Sequence, residues 1–76
     1  MCGIVGIASE NDCVNSIIKG LYALEYRGYD SSGIATLHDN FFANKKSIGK
    51  ISRLENAIIK DKISGNLGIG HTRWAT

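Results

Sequence analysis

The sequence contains no proline in 76 residues, where average usage places about four. A chain free of fixed kinks suits mostly regular elements. Cysteine is scarce. Cys2 and Cys13 fit no metal or redox spacing, and a disulfide scaffold needs more of them. The apolar start, Met1 to Ala8, lasts under about ten residues and carries no cationic leader, so it reads as neither a signal peptide nor a membrane span. The expected compartment is the cytoplasm, with both thiols reduced. Charge of one sign is missing too: nine Lys and Arg against seven Asp and Glu leave +2. With 43% hydrophobic residues, the chain falls outside the disordered and acidic-tail classes. Its length allows one domain, whose core supplies ~3–5 kcal/mol without a staple.

Local charge is less even. Lys45, Lys46, Lys50, Arg53, Lys60 and Lys62 fall within one stretch whose acids are Glu55 and Asp61. A basic strip can mark a nucleic-acid surface. This one has no aromatic residue to stack a base, and its lysines interleave with a helical pattern, so it reads as a solvated helix face. No nucleic-acid or membrane partner is expected.

Periodicity divides the rest. Cys2-Gly3-Ile4-Val5-Gly6-Ile7-Ala8 is a continuous apolar run, as in a strand buried on both faces, and its two glycines imply something packed close to the backbone. Asn11 or Asp12 offers an N-cap to a helix presenting Val14, Ile17, Ile18, Leu21 and Leu24 on one face and ending near Glu25. Tyr26 to Gly33 has no period and is loop-like. Gly33–Leu37 reads as a strand, His38-Asp39-Asn40 as a tight turn, and Phe41–Ile48 as a paired strand. Ser52 and Glu55 stand at capping-box spacing ahead of Leu54, Ala57, Ile58 and Ile59. Ser64-Gly65-Asn66 is a turn, and a further strand opens at Leu67 and runs into Thr72-Arg73-Trp74-Ala75-Thr76. The order is β-α-β-β-α-β, an α/β (α+β) chain whose final residues look like the way out of a strand, as if cut.

Few residues can carry chemistry. Removal of Met1 would leave Cys2 with a free α-amine. Such an amine titrates near ~7.7–8.0, so one residue would hold a strong nucleophile and a base. Alone, Cys2 also reads as a small buried hydrophobe at a strand end. Arg73 can grip a carboxylate through two parallel hydrogen bonds, Trp74 can cover a pocket or fill core, and His71 is more often a structural histidine than a base. Gly65-Asn66-Leu67-Gly68-Ile69-Gly70 has its glycines in the wrong order for a dinucleotide fingerprint, and no phosphate-loop Lys-Ser/Thr follows. Neither a metal nor a cofactor is expected.

Together three strings are more specific. Cys2-Gly3-Ile4-Val5-Gly6, Glu25-Tyr26-Arg27-Gly28-Tyr29-Asp30-Ser31-Ser32-Gly33 and Gly70-His71-Thr72-Arg73-Trp74-Ala75-Thr76 resemble the class II glutamine amidotransferases. Within that class they are most similar to the glutamine–fructose-6-phosphate aminotransferases. The resemblance implies the opening third of an N-terminal-nucleophile hydrolase with an α/β/β/α sandwich, residues 1–76 being the truncated start of the glutaminase domain. It also implies that Cys2 attacks the glutamine side-chain amide while its own amine shuttles the proton. A γ-glutamyl thioester then hydrolyses to glutamate, and the ammonia passes to fructose 6-phosphate to make glucosamine 6-phosphate. By the same resemblance Arg73 grips the glutamine α-carboxylate, Thr76 lies in the glutamine-binding loop and Trp74 gates ammonia. Arg27, Gly28 and Asp30 belong to an organising loop beside the nucleophile.

The family's oxyanion-hole Asn-Gly pair, its glutamine-binding Asp and its sugar-isomerase domains are not in this sequence. The chain is therefore expected to be inactive alone, since losing one oxyanion donor costs roughly 10²–10³ in rate. Three roles remain open: the start of such an enzyme, a fragment that assembles with a separately encoded remainder, and a small folded domain with a structural or interaction role.

Overall fold

Glycine decides how the first helix meets the sheet. In the computed structural model, which describes residues 2–25 and 28–73, strand β1 (Gly3–Ala8) is followed by helix α1 (Val14–Leu24), strands β2 (Ser31–His38) and β3 (Phe41–Ile48), helix α2 (Ile51–Lys60) and strand β4 (Leu67–Arg73). A Cβ on Gly70 would come within 2.5 Å of Ile17 Cγ2, one on Gly68 within 2.8 Å of Ile17 Cδ1, and one on Gly3 within 2.8 Å of Leu24 Cδ1. Bare backbone on β1 and β4 thus forms a trough in which α1 lies. The apolar stripe of α1 fills it: Val14, Ile17, Ile18 and Leu21 are buried, as 3.6-residue spacing dictates.

All strand pairs are antiparallel, in the order β1-β4-β2-β3. β2 and β3 form a hairpin in which His38 faces Phe41. The two residues between them, Asp39 and Asn40, both have positive φ, 48° and 69°, as a two-residue type I′ connection requires. β4 enters between β1 and β2, pairing Gly3 with Thr72 on one side and Ser31 with Arg73 on the other. Both helices cover one face, α1 over β1 and β4, α2 over β3 and β2. The core between them is Cys13, Val14, Ile17, Ile18, Leu21, Ile34, Ile51, Leu54 and Ile58.

The six-element order is as the periodicity predicts, and the small α+β architecture follows from it. Several local expectations fail. β1 is not buried on both faces: it is an edge strand, and Ile4 is 77% exposed because no described residue covers the face opposite the helices. Gly6 points to that open face, where a Cβ would meet nothing nearer than Ile69 Cγ2 at 3.9 Å, so only Gly3 of the pair answers to close packing. Neither expected cap forms. Cys13 is the N-cap position of α1 and Lys50 that of α2, both without a side-chain cap bond. Asp12 Oδ1 instead accepts from the Gly65 N–H at 2.8 Å, and Glu55 Oε1 accepts from the Tyr22 hydroxyl at 2.9 Å. Long-range partners outbid the local ones. Ile59 is exposed, whereas Ile51 joins the core, because the inward face of α2 starts one turn earlier than the capping-box spacing predicts.

Gly70→Ala should destabilise the fold by about 1–3 kcal/mol, the usual cost of forcing a methyl into a packed interior. Gly6→Ala should shift stability by no more than about 0.5 kcal/mol. Urea unfolding followed by circular dichroism separates the two. Equal effects would show that α1 does not depend on the glycine trough.

Candidate functional site

The register of β1 against β4 brings two of the sequence candidates to one end of the sheet. Gly3 faces Thr72, so Cys2 and Arg73 are each one residue beyond that pair, on neighbouring strands. Side chains alternate across a sheet. Gly3 and Thr72 are buried toward the helices, while Cys2 and Arg73 are exposed. Cys2 is a free thiol at the surface. Cys13 is the other free cysteine, buried in the core. Its thiol is pushed up in pKa, first by burial and then by the nearby Asp12 charge, so it is the less reactive of the two.

The loop that precedes β2 fixes the backbone at this end. The Asp30 N–H donates to the Arg73 carbonyl at 2.7 Å, and the Gly49 N–H donates to the Asp30 carbonyl at 2.8 Å. Residue 30 thus ties the end of β4 to the end of β3. Gly28, at φ 79°, lets the chain turn there with its N–H on the Glu25 carbonyl at 3.1 Å. Tyr29 anchors the segment to both helices. Its hydroxyl donates to Glu25 Oε2 at 2.6 Å at the end of α1 and accepts from the Ile51 N–H at 2.8 Å at the start of α2. Burial, and then the bond to Glu25, push the phenol pKa above its usual value. Of the organising residues expected from sequence, Gly28 and Asp30 lie in this clamp. Arg27, Trp74 and Thr76 lie outside the described residues.

The open face is graded along its length. Following the register, one row runs Arg73, Ser31, Ile48, and the next runs Ile4, His71, Gly33, Lys46. Toward the other end lie Ile69, Leu67, Leu37 and Phe42. His71 crosses Gly33: a Cβ there would sit 2.5 Å from His71 Nε2. A cleft of about 560 Å³ opens beside Arg73, lined also by Ser31, Lys46, Ser47, Arg53 and His71, and Cys2 lies outside it. Sequence reasoning did not single out Ser31 or Ser47, and it assigned Lys46 and Arg53 to a solvated helix face. Lys46 in fact lies on β3, and its neighbour Lys45 points to the helix side, where it pairs with Asp61. A legible signal existed: none of the four strands contains an acid, so cations on them lack in-sheet partners. Among the described residues no group of three or more His, Cys, Asp or Glu is placed to hold a metal, and no helix is long and apolar enough to cross a membrane.

No protein-family model matches the chain. Individual proteins do, over its whole length. It is 53% identical over 76 residues to the glutamine–fructose-6-phosphate aminotransferase (isomerizing) of Bartonella quintana and 49% identical over 76 residues to that of Clostridium acetobutylicum. The Pseudomonas putida enzyme of the same name is 52% identical over 77 residues. The match lies in the N-terminal region of these proteins. The chain spans only 12–13% of the length of these curated relatives. The resemblance carried by three strings therefore extends through every element of the fold.

Tyr29→Phe should cost about 1–2 kcal/mol at neutral pH, because the Ile51 N–H loses its acceptor and Glu25 its donor. A phenol whose folded pKa is raised contributes stability that is fully present below the unfolded value near 10 and is lost as pH rises through the folded value. Urea midpoints between pH ~9 and ~11.5 should therefore fall for the wild-type chain and fall less for Tyr29→Phe. The remaining slope includes Tyr22, whose pKa is raised first by its bond to Glu55, and the Cys13 thiol, raised first by burial. Identical slopes would remove Tyr29 from the clamp.

Proposed function

We propose that this chain, matched along its whole length by the N-terminal region of glutamine–fructose-6-phosphate aminotransferases, is the nucleophile-bearing segment of a glutamine-hydrolysing domain of that kind. The observation that supports the reading is the β1–β4 register, which ends on Gly3 opposite Thr72, so that Cys2 and Arg73, both exposed, each stand one residue beyond that pair at the same end of the sheet. With Met1 removed, the Cys2 thiol attacks the glutamine side-chain carbonyl carbon. The Cys2 α-amine takes the thiol proton and delivers it to the departing ammonia, leaving a γ-glutamyl thioester. Water then attacks the thioester, the same amine accepts its proton, and glutamate leaves as the thiol is restored. Arg73 holds the substrate α-carboxylate, and the bond from Asp30 to the Arg73 carbonyl fixes its backbone. Trp74 and Thr76 stand one and three residues further along the sequence; their assignment to ammonia gating and glutamine binding rests on the resemblance. The ammonia is passed to fructose 6-phosphate, the acceptor in the relatives' name, by parts of the enzyme beyond these residues.

The reading includes the fold. The four-stranded sheet is one layer of an α/β/β/α sandwich, with residues 1–76 the opening part of a glutaminase domain. The uncovered face supports this: Ile69 is 54% and Phe42 81% exposed, and apolar residues in that number call for a second layer. The remainder of the enzyme is accordingly the partner, and the 76 residues alone are expected to release no glutamate above a Cys2→Ala control.

A chimera tests the site. Residues 1–73 of this chain replace the matching segment of the Bartonella quintana enzyme. Intact mass should show a product lacking Met1. Arg73→Ala should raise the glutamine KM roughly 10–150-fold, the value of a charged hydrogen-bonded pair, and Arg73→Lys should recover part of it because an ammonium lacks the planar fork. Cys2→Ala should abolish turnover. Retention of Met1 in an active product, or an unchanged KM for Arg73→Ala, would sink the assignment.

A further inference from the structure

The cleft beside Arg73 holds more positive charge than one carboxylate needs. Arg73 comes from the end of β4, Lys46 from β3 and Arg53 from the first turn of α2. None of the three has an ion-pair partner among the described residues. No acidic side chain lines the cleft, and the strands that build it contain no acid. Cations gathered along a concave wall without counter-charge focus a positive potential into it. Hydroxyls accompany them: Ser31, Ser32 and Ser47 belong to the same lining. Ser32 is 1% exposed, and its hydroxyl has no hydrogen-bond partner among the described residues. That hydroxyl shares the helix side of the sheet with Thr72, so the groups that face Arg73 and Lys46 across the open face are Ser31 and the cations themselves.

We propose that this cleft is a binding site for a tetrahedral oxyanion of the phosphate class, with Lys46 and Arg53 as its principal cations and Arg73 at its margin. The donors approach from three elements, β3, α2 and β4. Oxygens arranged tetrahedrally can meet donors from three directions, whereas the two oxygens of a planar carboxylate lie in one plane with a single fork. The volume, about 560 Å³, suits a small phosphorylated molecule, and the lining offers no Phe, Tyr or Trp ring on which a nucleic-acid base would stack. The site is additional to the glutaminase reading, since Lys46 and Arg53 have no part in it. It shares only Arg73, so an anion held there would draw on the guanidinium that faces glutamine.

The test uses the 76-residue chain and inorganic phosphate, followed by backbone amide shifts at constant ionic strength with chloride as the balancing ion. Expected is a saturable response concentrated on Ser31, Ser47 and Arg53. Lys46→Gln and Arg53→Gln should each weaken binding by roughly 10-fold, as loss of one charged hydrogen bond does, while Lys46→Arg keeps most of it. Both side chains are exposed, and a dispersed spectrum confirms that each variant is folded. Glycerol 3-phosphate is run alongside. Tighter binding than phosphate assigns the site to a phosphorylated metabolite, and equal or weaker binding assigns it to free phosphate. The absence of a saturable response, shifts spread evenly over all surface lysines, or an unchanged affinity in the Lys46→Gln/Arg53→Gln double variant would overturn the proposal. Preference for an oligonucleotide with no saturation by phosphate would also overturn it. The chimera's glutamine kinetics decide the glutaminase reading separately, whichever way this titration falls.

Discussion

The contact between α1 and the bare backbone of β1 and β4 is the constraint from which the rest of the arrangement follows. Ile17 and Leu21 descend onto Gly68 and Gly70, and Leu24 onto Gly3. The helix itself contributes Gly20, where a Cβ would sit 2.9 Å from Val5 Cγ1. Such an approach lets short strands with few large inward side chains still close a core, because helix side chains supply the volume that the strands lack. It also aligns β1 with β4. Once α1 is seated across both, the register that sets Gly3 against Thr72 is fixed, and with it the relation of Cys2 to Arg73. Packing at the middle of the sheet thus sets which residues meet at its end.

A second set of bonds works at that end, where the Tyr29 ring also packs against the core. The 28–30 segment joins the end of α1, the start of α2, and the ends of β4 and β3 through Tyr29 and through the Asp30 backbone. Its members are polar, and each satisfies a group that an element terminus leaves open. The start of α2 is the clear case: it has no side-chain cap of its own and takes its acceptor from Tyr29, more than twenty residues upstream. A loop without period in the sequence is therefore among the most cross-linked parts of the fold.

The sequence made some of this legible and hid the rest for identifiable reasons. Repeats of 3.6 and 2 residues are local, so α1 and the β2–β3 hairpin can be read directly from Val14–Leu24 and from the Asp39-Asn40 turn. Caps were misread because Asp12 and Glu55 have suitable local spacing, yet tertiary partners on Gly65 and Tyr22 claim them. The burial of β1 was misread because a continuous apolar run is the same whether a strand has one covered face or two. The pair Gly68 and Gly70 was set aside as a failed nucleotide motif, and its meaning appears only when α1 lies on top of it. For the site, Cys2 and Arg73 stood out through their surrounding strings, but their adjacency needed the strand order. Ser31, Lys46 and Arg53 come from three separate elements, and no spacing along the chain predicts that they line one cleft.

That strand order has a consequence for how the chain comes to be folded. The central position next to β1 is taken by β4, the last of the six elements to be made, and more than sixty residues separate Gly3 from its partner Thr72. Until β4 arrives, β1 has no strand beside it and α1 has no glycine surface to settle on. Only the β2–β3 hairpin can assemble from neighbours in sequence. Loop closure over such a span is slow relative to local pairing. At synthesis rates of roughly 5–20 residues per second, the apolar start of the chain waits several seconds with its edge and its helix stripe uncovered. The element that supplies Arg73 is thus also the one that ends this exposure, so assembly of the sheet and assembly of the candidate site are the same event.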